Sequence, residues 1–406
     1  MTESSNPTAG LHVVIIGAGV SGLLLAQGLK KNGISFTIYE SEESLSHYRP
    51  REWGMSIQWA LPMLSALLPD KLHERLQTAS VDPHYNFPES GNAMPVYNAE
   101  TGELVKSIPL VKMLRVSRRK MRALCAEGID VQYGKALKSL ARPNKSSISV
   151  QFADGTSVSG SLVVGADGAT SVVRSEAFAG GPAGQASQVP YSGVNMHVCY
   201  HDAATARSLR ESLSPIMAIG AHPRGYWLWL SVQDVPDPAS PENWVFQLQW
   251  TWRDGAETAP LAELNLAKLK AEAAEVFSEP FKSAWTNIPD GTPVPKNRIS
   301  IWAPKGIAQE LWNGRVALVG DAAHAMSFHR GQGLNHGIAD AVKLTEALTS
   351  VSDQDGLRAA VGDYETEMIA RAGEEVRVSK LNTEMMHDWA RLKESPFMQR
   401  GGDKNQ

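Results

Sequence analysis

Short apolar runs cut by glycines, not long amphipathic stretches, open the chain. His12–Ile16 reads HVVII, a β-branched run with the length and composition of a parallel strand covered on both faces. Gly17–Gly22 then turns the chain. Leu23, Leu24, Leu25, Ala26 and Leu29 fill a helix that Lys30, Lys31 and Asn32 end ahead of Gly33 at C′. Ser35–Tyr39 supplies a second strand, so the first forty residues predict a βαβ unit.

Beyond it the pattern is more broken. Residues 41–51 are charged and loop-like, 57–68 predict a helix interrupted by Pro62, and 116–125 predict a basic helix. Residues 129–150 alternate as a meander, and 161–164 form another buried strand. Two Gly/Pro-rich segments, GGPAGQASQVP at 180–190 and IPDGTPVPK at 288–296, mark boundaries. Between them 191–200, 225–232 and 244–252 alternate in strand fashion, with Phe246, Leu248, Trp250 and Trp252 on one sheet face. That face either lines a flat aromatic pocket or packs into a core. Afterwards come a strand at 315–319, a helix at 333–350 and a charged amphipathic helix at 363–392, with 401–406 frayed.

A chain of 406 residues exceeds what one core supports, since cores stop growing at roughly 250–300 residues. The expected partition is a discontinuous nucleotide-binding domain over 1–75, 100–185 and 296–350. A substrate domain would take 76–99 and 186–295, and a C-terminal helical tail 351–406. Hydrophobic content of 43% with 20% charged residues is ordinary globular composition. A net charge of −4 gives no field suited to nucleic acid or an anionic membrane, so the expected partner is a small molecule and the expected state a monomer or homodimer. The two cysteines, Cys125 and Cys199, stand apart from any CxxC or Cys/His cluster, which argues against a disulfide framework or bound metal. Val13–Leu29 superficially resembles a signal-peptide core, but the preceding MTESSNPTAG has no basic residue and glycines interrupt the run. A cytoplasmic protein with no membrane segment is expected.

Three motifs carry candidate chemistry. Gly17, Gly19 and Gly22 form a GxGxxG between strand and helix: glycine permits the tight turn, the approach of a pyrophosphate to bare backbone, and close helix–strand packing. The helix start offers unpaired N–H groups to phosphates. Glu40 ends the second strand about 20 residues on, where an acid binds ribose hydroxyls and repels a 2′-phosphate. The second motif, GADGATSVVR at 165–174, and the third, GDAAH at 320–324 with RGQGLN at 330–335, each follow a strand.

In this order and spacing the three motifs resemble the FAD-dependent aromatic hydroxylase class (group A) of flavin monooxygenases, similar to p-hydroxybenzoate hydroxylase and fungal secondary-metabolite FAD monooxygenases. The resemblance spans about 12–180 and 300–350. It implies an α/β fold: a Rossmann-type (GR2-like) FAD-binding domain with an inserted β-sheet substrate domain and a C-terminal helix. It implies that Asp321 binds the FAD ribityl chain, that the loop of Gly331, Gly333, Leu334 and Asn335 meets the flavin pyrimidine edge, and that Asp167 and Gly168 lie near the pyrophosphate and the nicotinamide coenzyme. Arg118 is the candidate for the FAD phosphate or ribityl region, with Arg115 and Arg119 as competitors; Arg51 and Gly54 are candidates beside the flavin, Arg51 also as a catalytic residue.

The implied activity is an NAD(P)H-consuming, cytoplasmic monooxygenase of secondary metabolism. It holds FAD non-covalently and inserts one oxygen of O2 into an aromatic or other electron-rich, polyketide- or alkaloid-like molecule through a flavin C4a-hydroperoxide. Tyr226, with His197 and His222, could orient or deprotonate a phenol. The chain departs from the family at Phe328, where a proline usually follows the aspartate by seven residues on the oxygen face. The rival reading is an FAD oxidase or dehydrogenase without oxygen insertion. A halogenase lacks its WxWxIP signature here, and a nucleotide-binding regulator without chemistry stands as the non-enzymatic alternative.

Overall fold

The computed structural model describes residues 10–47, 52–88, 91–144, 146–213, 216–255, 261–307 and 309–400. His12–Ile16 is the middle strand of a five-stranded parallel sheet, ordered Val316–Leu318, Leu162–Gly165, His12–Ile16, Ser35–Tyr39 and Val131–Gln132. Val13–Ile16 and Leu162–Val164 are wholly buried, which is why they read as continuous apolar runs. The helix Val20–Lys31 packs against Gly333–Thr349, so the first and last parts of this unit share a core. A three-stranded antiparallel sheet of Leu137–Leu140, Ile148–Phe152 and Ser157–Gly160 lies beside them.

A second, seven-stranded sheet runs in the order Lys296–Ile301, Ser187–Cys199, Val245–Arg253, Tyr226–Asp234, Met217–His222, Asn92–Asn98 and Leu104–Leu110. Its strands pair antiparallel except Met217–His222 with Asn92–Asn98. Phe246, Leu248, Trp250 and Trp252 do share a face, and it is a core face: Trp250 meets Phe277 and Trp285 from the flank of Leu266–Val276 and from Phe281–Thr286. Burying aromatic area of this size stabilises the unit by about 2–3 kcal/mol per ring.

Sheet membership departs from the expected partition in two places. Leu104–Leu110 joins the second sheet because it is the return arm of a hairpin with Asn92–Asn98, turned at Gly102 with φ +79°. Lys296–Ile301 also joins it, as the edge partner of Ser187–Cys199. Within 57–68, Pro62 sits in the first turn of the 3-10 segment Leu61–Met63 instead of interrupting a helix, because its fixed φ suits a first turn. The basic helix begins at Arg118, and the preceding Leu114–Ser117 is a strand paired with Gly54–Ile57.

The C-terminal helix runs from Gln354 to Met386, capped by Asp353, whose carboxylate accepts the Gly356 N–H at 2.8 Å. Its Leu357, Val361, Tyr364 and Met368 enter the first core, while Met386 and the following Leu392 and Phe397 enter the second. The helix is thus a strap across both units. Residues 401–406 lie outside the described residues, and so does the frayed end expected there. Among the described residues no helix is long and apolar enough to cross a membrane.

Candidate functional site

The strands 12–16, 162–165 and 316–318 are adjacent and parallel, so the loops that follow them emerge at one sheet edge. These loops carry the three motifs. Gly17 has φ +106°, and a Cβ there would stand 2.5 Å from the Ala166 carbonyl oxygen, so the first and second motifs touch. A Cβ on Gly22 would lie 2.1 Å from the Gly17 oxygen. Ser21 Oγ occupies the space that side chains at Gly320 and Gly337 would need, at 2.6 and 2.4 Å. The first motif therefore packs directly on the third. Gly19 differs: nothing lies nearer to its Cβ position than Ala166 O at 4.0 Å, and positions 168 and 331 meet nothing within that range.

Glu40 closes the first turn. Its Oε2 accepts the Ala18 N–H at 2.8 Å, and its Oε1 accepts from Ser41 Oγ and the Glu42 N–H at 3.0 Å. Arg122 braces the same turn, donating to the Ala18 carbonyl at 2.8 Å and pairing with Glu42. Sequence reasoning missed Arg122 and Glu42. The signal was present, because Arg122 stands four residues past Arg118 on one helix face.

Asp167 serves its own loop, accepting from Ser171 Oγ at 2.5 Å and from the N–H groups of Val172 and Val173 at 2.7 and 3.1 Å. Arg174 binds the second motif to the third: its guanidinium donates to the carbonyls of Ala169 and Gly184 and, at 2.9 Å, of Ala322. Asp321 is solvent-accessible, and a Cβ on Gly333 would be 3.5 Å from its Oδ1, which puts it at the start of Gly333–Thr349. Surrounding protein pushes its carboxyl up, against the pull of His324, Arg118 and Arg174. That helix has no side-chain N-cap, so the first-turn amides of Gly333, Leu334 and Asn335 present donors there. The Asn335 side chain fixes the turn to Gly54–Ile57 and its continuation, donating to Ser56 O at 2.9 Å and accepting from Gln58 N–H at 2.8 Å.

Of the three basic candidates, Arg118 faces the motifs. Burial weakens its charge, while Glu52, Glu40 and Asp321 favour it, and among the described residues its side chain makes no hydrogen bond to protein. Arg119 is exposed and reaches Asp234 at 3.4 Å. Arg115 is buried against the second sheet. Gly54 donates its N–H to Gln247 Oε1 at 3.0 Å. Arg51 lies outside the described residues.

Opposite the motif loops stands the second face of the seven-stranded sheet, with Asn195, Trp227, Trp229, Ser231, Gln247 and Thr251. Trp227 approaches Phe328 at 6.3 Å and His329 at 4.6 Å between centroids. Phe328, 40% exposed, stacks on His329 at 4.5 Å. His197 is half-buried on the face of Asn195, with its imidazole pushed down to about 4 by burial. Tyr226 is not brought to this site. Strand alternation turns it to the core face, where its hydroxyl donates to Glu272 at 2.9 Å and its ring meets Trp250 and Phe277. His222 lies there too, bonded to the Val276 carbonyl at 3.0 Å.

The glycine turn with open approach at Gly19, the acid at Asp321 and the uncapped amides at Gly333 fit a dinucleotide extended along the sheet edge with a planar ring system at its far end. The family model of the FAD binding domain matches residues 10–379. The FAD-dependent monooxygenase phnB of Penicillium herquei is 42% identical over 396 residues, covering 96% of this chain and 94% of the relative. The FAD-dependent monooxygenase cctM of Talaromyces islandicus is 36% identical, with 96% of each chain covered. The fold is similar to that of Klebsiella pneumoniae HpxO solved with FAD and uric acid, with TM-score 0.73 at 20% identity over 97% of this chain and 93% of that one.

Proposed function

The chain belongs to the family of FAD-dependent monooxygenases built on this FAD-binding domain, and from that premise we propose that it uses NAD(P)H and O2 to insert one oxygen atom into an aromatic or other electron-rich small molecule. The observation that carries the reading is the meeting of three motif loops at one sheet edge, opposite a polar and aromatic sheet face. When bound, FAD supplies the two-electron redox chemistry and the activation of O2.

The protein's own groups do the rest. Gly19 gives the pyrophosphate access to bare backbone, and the helix Val20–Lys31 offers its N–H groups. Glu40 shapes that turn and stands at the ribose end, while Arg118 and Asp321 flank the phosphate and ribityl region. Gly168 and Gly331 keep the approach open. Amides of Gly333, Leu334 and Asn335 at the positive end of their helix stabilise negative charge on the ring edge. Gly54 is assigned to the neighbourhood of the ring. Trp229 and Phe328, backed by the buried Trp227, form an apolar wall for a flat substrate, and they exclude water that would divert the oxygen into hydrogen peroxide. His197 shares this sheet face, and since burial holds it neutral and makes it a weak base, its proposed part is to orient a substrate hydroxyl and not to deprotonate it. A role in secondary metabolism is part of the proposal, in keeping with relatives that are FAD-dependent monooxygenases of Penicillium herquei and Talaromyces islandicus.

The test is turnover of polyhydroxylated aromatic compounds with NADH or NADPH under 18O2. One labelled oxygen per product and per nicotinamide consumed is expected. Nicotinamide oxidation that yields only labelled hydrogen peroxide, with every compound tried, would instead establish an oxidase.

A further inference from the structure

Among the other arginine side chains that are at least nine-tenths buried, Arg122, Arg330 and Arg371 pair with Glu42, Glu375 and Asp340, Arg174 donates to backbone carbonyls under the pull of Asp167 and Asp321, and Arg315 donates to the Ser161 carbonyl. Arg115 is 5% exposed, and among the described residues no carboxylate pairs with it. Its donors reach neutral oxygens only, Ser56 Oγ at 3.2 Å and Ser231 Oγ and Gln247 Oε1 at 3.1 Å. Its Nε has no partner, and its guanidinium lies 5.0 Å from the centre of the Trp229 ring. Burial pulls it down to about 9, with no neighbouring charge acting either way, so it stays cationic at neutral pH. An isolated buried cation costs several kcal/mol, and a neutral side chain would brace Ser231 and Gln247 at lower cost. The charge is left without a carboxylate partner among the described residues and can act on a bound group.

Geometry identifies the direction. The strand Gly54–Ile57 is held on one side by Arg115 and Gln247, through Ser56 Oγ and the Gly54 N–H. On the other side the Ser56 carbonyl accepts from Asn335, in the first turn of Gly333–Thr349. A single strand thus separates the guanidinium from the loop assigned to the flavin. Two-electron reduction at neutral pH takes up two electrons and one proton, leaving one negative charge on the ring system. We infer that Arg115 is the fixed positive charge that sets the reduction potential of the flavin at this site, acting through space and not by contact with substrate. The inference rests on the FAD reading above.

The experiment compares FAD-loaded wild type with Arg115→Met, Arg115→Lys and Ser231→Asp. Each is reduced slowly by xanthine and xanthine oxidase beside a reference dye. Ser231→Asp leaves the guanidinium in place and cancels its charge, so the test survives if Arg115→Met fails to fold. In Arg115→Met and Ser231→Asp the ratio of reduced to oxidised flavin at a given dye potential should fall about tenfold, the order one unit charge exerts across about 12 Å at an effective dielectric of about 20. For this two-electron couple that is about 30 mV. Arg115→Lys should remain within about twofold of wild type. Unchanged ratios in both charge-cancelling variants, or an equal fall in Arg115→Lys, would overturn the inference. Wild-type protein that takes up no FAD would instead overturn the functional reading beneath it.

Discussion

The carboxylate of Asp340 and the guanidinium of Arg371 meet at 2.8 Å in the interior, one from the helix that follows the third motif and the other from the C-terminal strap. The remaining oxygen of Asp340 accepts the Gly320 N–H at 2.7 Å and bonds His324 Nε2 at 2.6 Å. A segment outside the three motifs therefore fixes the backbone next to Asp321. The strap is a supporting part of the site, although it contributes no ligand-facing residue to the motifs.

This arrangement predicts a pH dependence. Burial opposes ionisation of Asp340, but His324 and Arg371 prevail and hold it at about 2, against an ordinary 3.8. A carboxylate held below its unfolded value stabilises the fold above that value and ceases to do so as pH falls through the folded one. The contribution, about 2 kcal/mol, is complete above pH 5 and fades between roughly pH 4 and 2. Asp340→Asn should cost about 2–3 kcal/mol near neutrality, because the Gly320 N–H, His324 and Arg371 lose a charged acceptor while Arg371 keeps Glu367. Urea unfolding should find the gap between wild type and Asp340→Asn narrowing as pH is lowered from 5 to 2.5; a constant gap would count against this assignment.

The glycines of the first motif separate into two kinds. Gly22→Ala forces a Cβ to 2.1 Å from backbone at Gly17 and should destabilise the apoprotein by about 3 kcal/mol. Gly19 has φ −71°, which alanine adopts freely, and its Cβ direction is open. Gly19→Ala should leave apoprotein stability within about 0.5 kcal/mol and weaken FAD binding at least about tenfold. Thermal unfolding of apoprotein and titration of FAD fluorescence read the two effects separately.

What was legible in the sequence follows from the range of the interactions. The βαβ opening and the three strand-to-loop motifs depend on local glycines and short apolar runs, and each stands where its residues indicate. Long-range partners were not legible: nothing local says that Arg371 meets Asp340, or that Leu104–Leu110 is a hairpin arm. The run LRVSRR illustrates the middle case. Its three arginines look equivalent, but Arg115 lies on a strand and turns inward, Arg118 opens a helix toward the motifs, and Arg119 points to solvent. Tyr226 failed for a related reason. Aromatic or apolar residues occupy both faces of YWLWL, so period-two alternation predicts a strand without saying which face meets the site.

Tyr226→Phe tests that correction. The change removes one hydrogen bond to Glu272 and should cost about 1 kcal/mol in stability. Turnover should stay within about twofold, because the ring lies behind the sheet. A loss of tenfold or more in kcat with unfolding midpoint intact would return Tyr226 to the site.

Phe328 stands where the resemblance led us to expect a proline, and its surroundings indicate what the ring contributes. It is partly exposed, stacks on the buried His329 and reaches toward Trp227, so it sits at the edge between the third-motif loop and the sheet face without joining the core. Removing it should cost only about 1 kcal/mol of stability, the worth of one aromatic contact. The larger effect should fall on the partition of reducing equivalents, since a gap in an apolar wall admits water where an oxygen-transfer step needs its exclusion. For Phe328→Ala we expect nicotinamide oxidation to continue at a comparable rate while the fraction released as hydrogen peroxide rises about twofold or more. Phe328→Leu keeps most of the volume but not the stacking, and should lie nearer to wild type. A peroxide fraction that is the same in all three proteins would show that this ring takes no part in shielding the reaction.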